Sequence, residues 1–299
     1  MDRPVSAAGQ RRSRLAAALA ISLGILLVEL VAGIAANSLA LLADAGHVFA
    51  DVSGMAASLA AVWIANRPTS GGRSYGLYRL EIIVASANAL LLLGVSLFVI
   101  WEGIQRLSAP PGTNASVVIV VAVFALAANL ASLWLLAPGR RESMTLRGAY
   151  LEVLGDMLGA AAVLVAGVVI LATGFQQADA IASILIGVLI LPRAWALLRD
   201  SIDILLEATP KGVDLDEVRR HMLDSPGVQA VHDLHVWTIT SGMNVVSAHV
   251  VMGPDGDPGA LLDYLVTCLS ADFDIGHSTF QIETPEHVLW EARTVATPH

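Results

Sequence analysis

The chain predicts an α-helical membrane protein with six transmembrane helices, plus a small cytosolic α+β domain at its C-terminal end. Three observations carry that prediction. Of the 299 residues, 56% are hydrophobic and only 14% charged, with a mean hydropathy of +0.68, far from a soluble domain. The apolar residues fall in six blocks, each long enough to cross a hydrocarbon core of about 30 Å. After Leu206 the composition turns polar, and short strand-like and helix-like patterns replace the blocks.

Taken in order, residues 1–14 form a cytosolic tail and 15–206 the six-span domain. The spans run over 15–36, 39–65, 82–106, 115–137, 147–173 and 179–204. Arg11, Arg12 and Arg14 before the first span resemble the start of a secretory signal, but the run is too long and Glu29 interrupts it. Arginines collect before span one, after span two (Arg67, Arg73, Arg79) and after span four (Arg140, Arg141, Arg147), whereas only Arg106 lies near an opposite loop. The positive-inside rule therefore puts both termini of a multi-pass membrane protein in the cytoplasm. The linkers SAPPGTN and TGFQQAD read as short outer turns.

Residues 207–299 form the cytosolic domain. A helix over 214–224, strands over 228–239 and 244–252, a helix over 258–272 and a strand over 277–283 give the order αββαβ. From residue 208 onward four basic residues face thirteen acidic ones, so this part carries the whole net charge of −9. Such a lobe argues against nucleic acid as a partner and suits either cation attraction or a plain solvated surface. Cys268, the one cysteine, lies on the apolar side of a predicted helix and is read as packed.

Two ionisable pairs interrupt the oily stretches: His47 with Asp51 in span two, and Glu152 with Asp156 in span five. A charge at a helix centre costs about 2.5 to 3.5 kcal/mol on insertion scales, so three unpaired carboxylates would cost on the order of 10. Positions i and i+4 share a helix face. Two such helices facing each other supply one nitrogen and three carboxylates, a donor set for a divalent cation. Asp44 extends the first stripe; of three readings, ligand, access group or interfacial cap, an access group is preferred. Glu29, Asn88, Glu102 and Asn129 either line the pathway or bond across spans, the second reading being preferred, and Asp179 is read as a cap. At about 1.5 Å per residue the two pairs differ in depth by on the order of 10 Å, so a shared site requires span five to begin below the membrane or to tilt.

The run NSLALLADAGHVFAD, the segment SYGLYRLEIIVASANAL, the YLEVLGD of span five and VHDLHVW together resemble the cation diffusion facilitator family, its bacterial zinc-exporting branch in particular. The resemblance covers residues 13 to 285. It implies a homodimer of six-span protomers, each with a metallochaperone-like cytosolic domain, exporting Zn²⁺, often with Cd²⁺ or Co²⁺, in exchange for protons. The family's transport site falls on His47, Asp51, Glu152 and Asp156. That branch usually has His where this chain has Glu152, and the harder donor set opens an alternative Mn²⁺ or Fe²⁺ preference. A metal-binding membrane sensor without transport is the other alternative. In the cytosolic domain the resemblance brings regulatory metal to His232, His249 and Glu283, with His277 a further candidate. His235, an odd number of residues from His232, is read as facing the opposite side and packing in the core. Arg73, Arg79 and Glu81 resemble a family landmark, read as an interfacial clamp. No HExxH or nucleophile motif occurs, so no enzyme and no cofactor beyond the transported metal is expected.

Overall fold

The computed structural model describes residues 7–65, 74–139, 144–254 and 256–294. Six long helices come first: α1 (Ala7–Ala36), α2 (Leu39–Ala65), α3 (Arg79–Ser108), α4 (Ala115–Leu136), α5 (Met144–Thr173) and α6 (Gln177–Leu205). Five of them are long and apolar enough to cross a membrane; the other, α2, is 27 residues long and carries Asp44, His47 and Asp51. Packing divides the chain into two units, Met1–Ala60 with Val84–Leu198, and Ala61–Ile83 with Arg199–His299.

In the first unit α4 packs against α1 and α5, and a shared apolar core runs through Leu41, Val118, Val163 and Ile186. Small residues bring helices close. A Cβ at Gly103 would meet Ile184 at 2.6 Å, and one at Gly187 would meet Ile100 at 2.9 Å, so α3 and α6 approach through glycine, the habit of membrane bundles. The outer faces stay apolar: Val31, Trp134, Leu171 and Leu189 are at least 64% exposed, which suits lipid and not water. Asn37, in the left-handed region at φ 55°, ends α1, and Ser38 N–H bonds back to the Gly33 carbonyl at 3.0 Å. Asp179 of α6 then caps the neighbouring helix, accepting from Leu39 N–H at 2.7 Å and Ser38 Oγ at 2.5 Å. The start of α2 is thereby pinned two turns before His47.

The second unit contains α7 (Leu215–Leu223), β1 (Val228–Thr240), β2 (Met243–Met252), α8 (Pro258–Phe273), β3 (Ile275–Glu283) and α9 (Pro285–Thr294). The αββαβ order is present, and α9 extends it. Strand order is β1-β2-β3, antiparallel between β1 and β2 and parallel between β2 and β3, the parallel step being made through α8. Asp214 and Asp257 cap α7 and α8. Val218, Met222, Leu265 and Leu269 of the helices pack with Val246 and Val250 of β2, so helices fill one face of the sheet. Glu81, at the start of α3, accepts from Thr240 Oγ1 at 2.5 Å and Ser241 Oγ at 3.1 Å, while Arg79 pairs with Glu207 at 2.6 Å. Both contacts lie within this unit; Arg73 lies outside the described residues.

Candidate metal centres

Because α2 and α5 are regular helices, their i, i+4 pairs stand on single faces. His47 Nε2 lies 3.5 Å from Asp51 Oδ2 and 3.5 Å from Asp156 Oδ1. Ligand atoms of these three residues all fall within 4.8 Å of one another. His47 and Asp156 are each 7% exposed. The expected depth mismatch is absent, since His47 Nε2 and Asp156 Oδ1 stand side by side; α5 begins at Met144, three residues before the expected start.

The donor atoms are poorly satisfied. Among the described residues, His47 Nδ1, Asp51 Oδ2 and Asp156 Oδ1 are buried without a hydrogen-bond partner. Buried polar atoms seldom stay so, and a cation held by one His47 nitrogen and the two carboxylates would satisfy the Asp51 and Asp156 oxygens. Donor types and spacing fit a small divalent ion.

Glu152 is not part of that three-residue set. Its Oε1 accepts a hydrogen bond from Arg193 Nη2 at 3.2 Å, and the same Nη2 lies 3.7 Å from Asp51 Oδ1. Arg193 belongs to α6, directly after Pro192, which lies inside the helix. Reading by spacing within one helix misses it, since it has no i, i+4 partner. The available signal was a cation inside an apolar span, which calls for a named counter-charge.

Asp44 is 3% exposed and sits against α5, where a Cβ on Gly159 would approach its Oδ1 to 2.6 Å. Its carboxyl neighbours that of Glu29, itself 1% exposed. An access group has to face water, whereas Asp44 belongs to a buried carboxyl pair one turn beyond His47. Of the other polar residues, Asn88 Oδ1 accepts from Ser53 Oγ at 2.8 Å across α2 and α3, and Glu102 pairs with Arg106 at 2.9 Å within α3.

A second cluster lies on the sheet face away from α7 and α8. His232 of β1 is directly opposite His249 of β2, and their rings meet edge to face at 4.9 Å. Glu283, 3% exposed at the end of β3, is its centre: Oε2 is 3.0 Å from His232 Nε2, and Oε1 is 2.8 Å from His249 Nδ1 and accepts from Gln281 Nε2 at 2.7 Å. The three residues offer ligand atoms within 4.8 Å.

Two expectations for this domain meet a different geometry. His277 pairs with Val245 and packs edge to face on Tyr75 at 6.1 Å, away from the cluster. His235 is exposed and not in the core. A bulge between His232 and His235 is the reason: they pair with His249 and Ser247, two apart on β2, so the extra residue puts both histidines on one face. Asp233 forms the bulge at φ 50°, and its Oδ1 is 2.9 Å from His235 Nε2. Cys268 lies on α8 with its Sγ bonded to the Leu265 carbonyl at 3.4 Å, and burial raises its thiol pKa.

Comparison with known proteins agrees with this architecture. Residues 15–206 match the cation efflux transmembrane domain, and residues 210–285 match the cytoplasmic domain of cation efflux proteins. The chain is 42% identical over 276 residues to the metal cation efflux system protein CzcD of Cupriavidus metallidurans, covering 92% of this chain and 87% of that protein. It is 39% identical over 272 residues to the zinc transporter ZitB of Escherichia coli, covering 90% and 87%. To the cadmium, cobalt and zinc/H(+)-K(+) antiporter of Bacillus subtilis it is 34% identical over 269 residues, covering 88% and 86%. These relatives are transporters and not enzymes. Both of its units and nearly its whole length being matched, the chain belongs to the cation efflux family.

Proposed function

We propose that the chain exports divalent metal cations from the cytoplasm, Zn²⁺ first with Cd²⁺ and Co²⁺ as further cargo, in exchange for protons. The cargo site is His47, Asp51, Glu152 and Asp156. The observation that carries this reading is the convergence of His47, Asp51 and Asp156 from two membrane helices with unsatisfied donor atoms. Efflux of divalent metal as the general activity follows from the relatives.

Charge supplies the mechanism. With His47 neutral and the three carboxylates ionised the ligands alone carry −3, a charge that binds either metal or protons in a low-dielectric setting. Metal arriving from the cytoplasm displaces protons; protons arriving from outside displace metal. His47 is the member whose ordinary titration range is nearest neutral pH. Rocking of α2 and α5 around the same ligands would expose the site alternately to the two sides. The inward proton gradient then drives metal outward across the cell inner membrane, with both termini cytoplasmic.

The cytosolic cluster of His232, His249 and Glu283 is proposed as a regulatory metal site in a homodimer, supported by the match of this domain to the cytoplasmic domain of cation efflux proteins. Metal between two acidic lobes would relieve their repulsion. The Mn²⁺ or Fe²⁺ preference has one observation in its favour, the additional hard oxygen of Glu152.

The test is metal-driven proton flux in proteoliposomes, comparing the parent with Asp51→Ala and Asp156→Ala. Zn²⁺-dependent flux in the parent that disappears in both variants is expected. A parent that binds Zn²⁺ without flux would make the chain a sensor.

A further inference from the structure

We infer that Arg193 is a built-in counter-charge of the transmembrane site, a tethered cation that bridges Asp51 and Glu152 until an arriving divalent ion pushes it aside. The inference rests on the transport-site reading above and deepens it.

Geometry carries the first step. One guanidinium nitrogen, Nη2, lies 3.2 Å from Glu152 Oε1 and 3.7 Å from Asp51 Oδ1. Glu152 thus stands with the guanidinium, while the ligand atoms that converge belong to His47, Asp51 and Asp156. Asp51 is shared: one oxygen faces His47 at 3.5 Å and the other faces Arg193. A metal ion that draws both Asp51 oxygens toward itself, or recruits Glu152 as a fourth ligand, has to take them from Arg193.

Charge carries the second. Three carboxylates give −3, and Arg193 brings the cluster to −2, the complement of one divalent cation. The metal-bound site with Arg193 nearby is neutral; without the guanidinium it keeps one uncompensated negative charge inside an apolar bundle, where that charge favours cation retention. Arg193 therefore lowers affinity, and so favours release in a carrier that must let its cargo go. The side chain can move: it is 48% exposed and follows Pro192, whose ring removes a hydrogen bond from α6. A long arginine stem can swing its head to a wetter level without repacking the bundle.

A unit charge within about 4 to 6 Å changes proton affinity by about one to three powers of ten, and a divalent ion feels it at least as strongly. The experiment is Zn²⁺ titration calorimetry on the full-length chain in detergent, in a background with His232→Ala and His249→Ala to silence the cytosolic cluster. Arg193→Gln is expected to tighten Zn²⁺ binding by about tenfold or more, and Arg193→Lys, which keeps the charge, to stay within about threefold of the parent. Unchanged or weaker binding in Arg193→Gln overturns the inference, as does a Lys variant that tightens as much as Gln. Asp156→Ala separates the two readings. If it leaves binding intact, the transport-site reading fails and the counter-charge with it. If it abolishes binding while Arg193→Gln does not tighten it, only the counter-charge fails.

Discussion

Inside the helical unit His47 Nε2 stands 3.5 Å from one oxygen each of Asp51 and Asp156, whereas in the sheet Glu283 holds His249 at 2.8 Å and His232 at 3.0 Å. The membrane cluster is loose, with buried atoms outside any hydrogen bond on all three residues; in the cytosolic cluster both Glu283 oxygens are hydrogen-bonded, one to His232 and the other to Gln281, while His249 Nδ1 stands 2.8 Å from Oε1 outside hydrogen-bond geometry. Scaffold explains the contrast. Two helices meeting at small residues leave room between their ligands, while adjacent strands bring facing side chains to about 5 Å and let them bond directly. A loose set gains most from a cation, since the metal accepts lone pairs that no hydrogen bond uses. A set whose carboxylate is already hydrogen-bonded gains less, because metal must first displace those bonds. That contrast supports the proposal of transport at the first arrangement and of conditional, regulatory binding at the second.

The sharpest way to break that contrast is to remove one carboxylate from each cluster. Asp156→Ala is expected to lower Zn²⁺-driven proton flux by about 100-fold or more, beyond the 10- to 100-fold typical of losing a supporting residue. Glu283→Gln is expected to leave flux at saturating Zn²⁺ within about threefold, since Gln retains volume and part of the hydrogen bonding. Equal losses in the two variants would erase the division of roles.

Glu152→His tests whether the fourth membrane residue touches cargo at all. Replacing a hard oxygen by imidazole should lower the Mn²⁺ to Zn²⁺ flux ratio on the order of tenfold, read by competition in the same vesicles. A ratio that does not move would mean that Glu152 serves Arg193 and not the metal. A smaller effect is expected from Gly159→Ala. The added methyl would approach Asp44 Oδ1 to 2.6 Å, but the carboxyl is the end of a mobile side chain and can yield. Flux should fall by roughly threefold to tenfold, in line with a modest overpacking strain, with Zn²⁺ affinity nearly unchanged. A fall in affinity equal to that of Asp156→Ala would make Asp44 a ligand.

How much of this was legible in the chain differs between the clusters for physical reasons. Helix period alone pairs His47 with Asp51 and Glu152 with Asp156, and the cost of charge in lipid marks both pairs as functional. Strand boundaries in the tail were legible to within two residues, because alternation and the Asp214 and Asp257 caps punctuate the elements. What spacing could not supply was contact between helices: Arg193 beside Glu152, and Glu29 beside Asp44, are neighbours only once α6 and α1 are packed. The bulge at Asp233 escaped for another reason. Period-2 reasoning assumes an unbroken strand, and Asp tolerates the left-handed conformation without the glycine that would advertise it.

The finest test uses Cys268 as a reporter beneath the sheet. Its thiol, on α8, packs against the core that fills the face opposite His232 and His249, and burial raises its pKa. A raised thiol pKa means less thiolate at a given pH, so alkylation should be slower than for a free thiol at pH 8 and should keep climbing where a free thiol has levelled off. If metal at the cytosolic cluster only exchanges one set of bonds to Glu283 for another, the sheet stays in place and the alkylation rate should change by less than about twofold when Zn²⁺ is added. A change of tenfold or more would mean that metal opens or tightens the domain through its core. The cytosolic cluster would then be a conformational switch and not a local substitution of hydrogen bonds by ligands. Because Cys268 lies far from the transmembrane ligands in sequence and is the single thiol of the chain, the readout can be taken on the intact protein without any substitution.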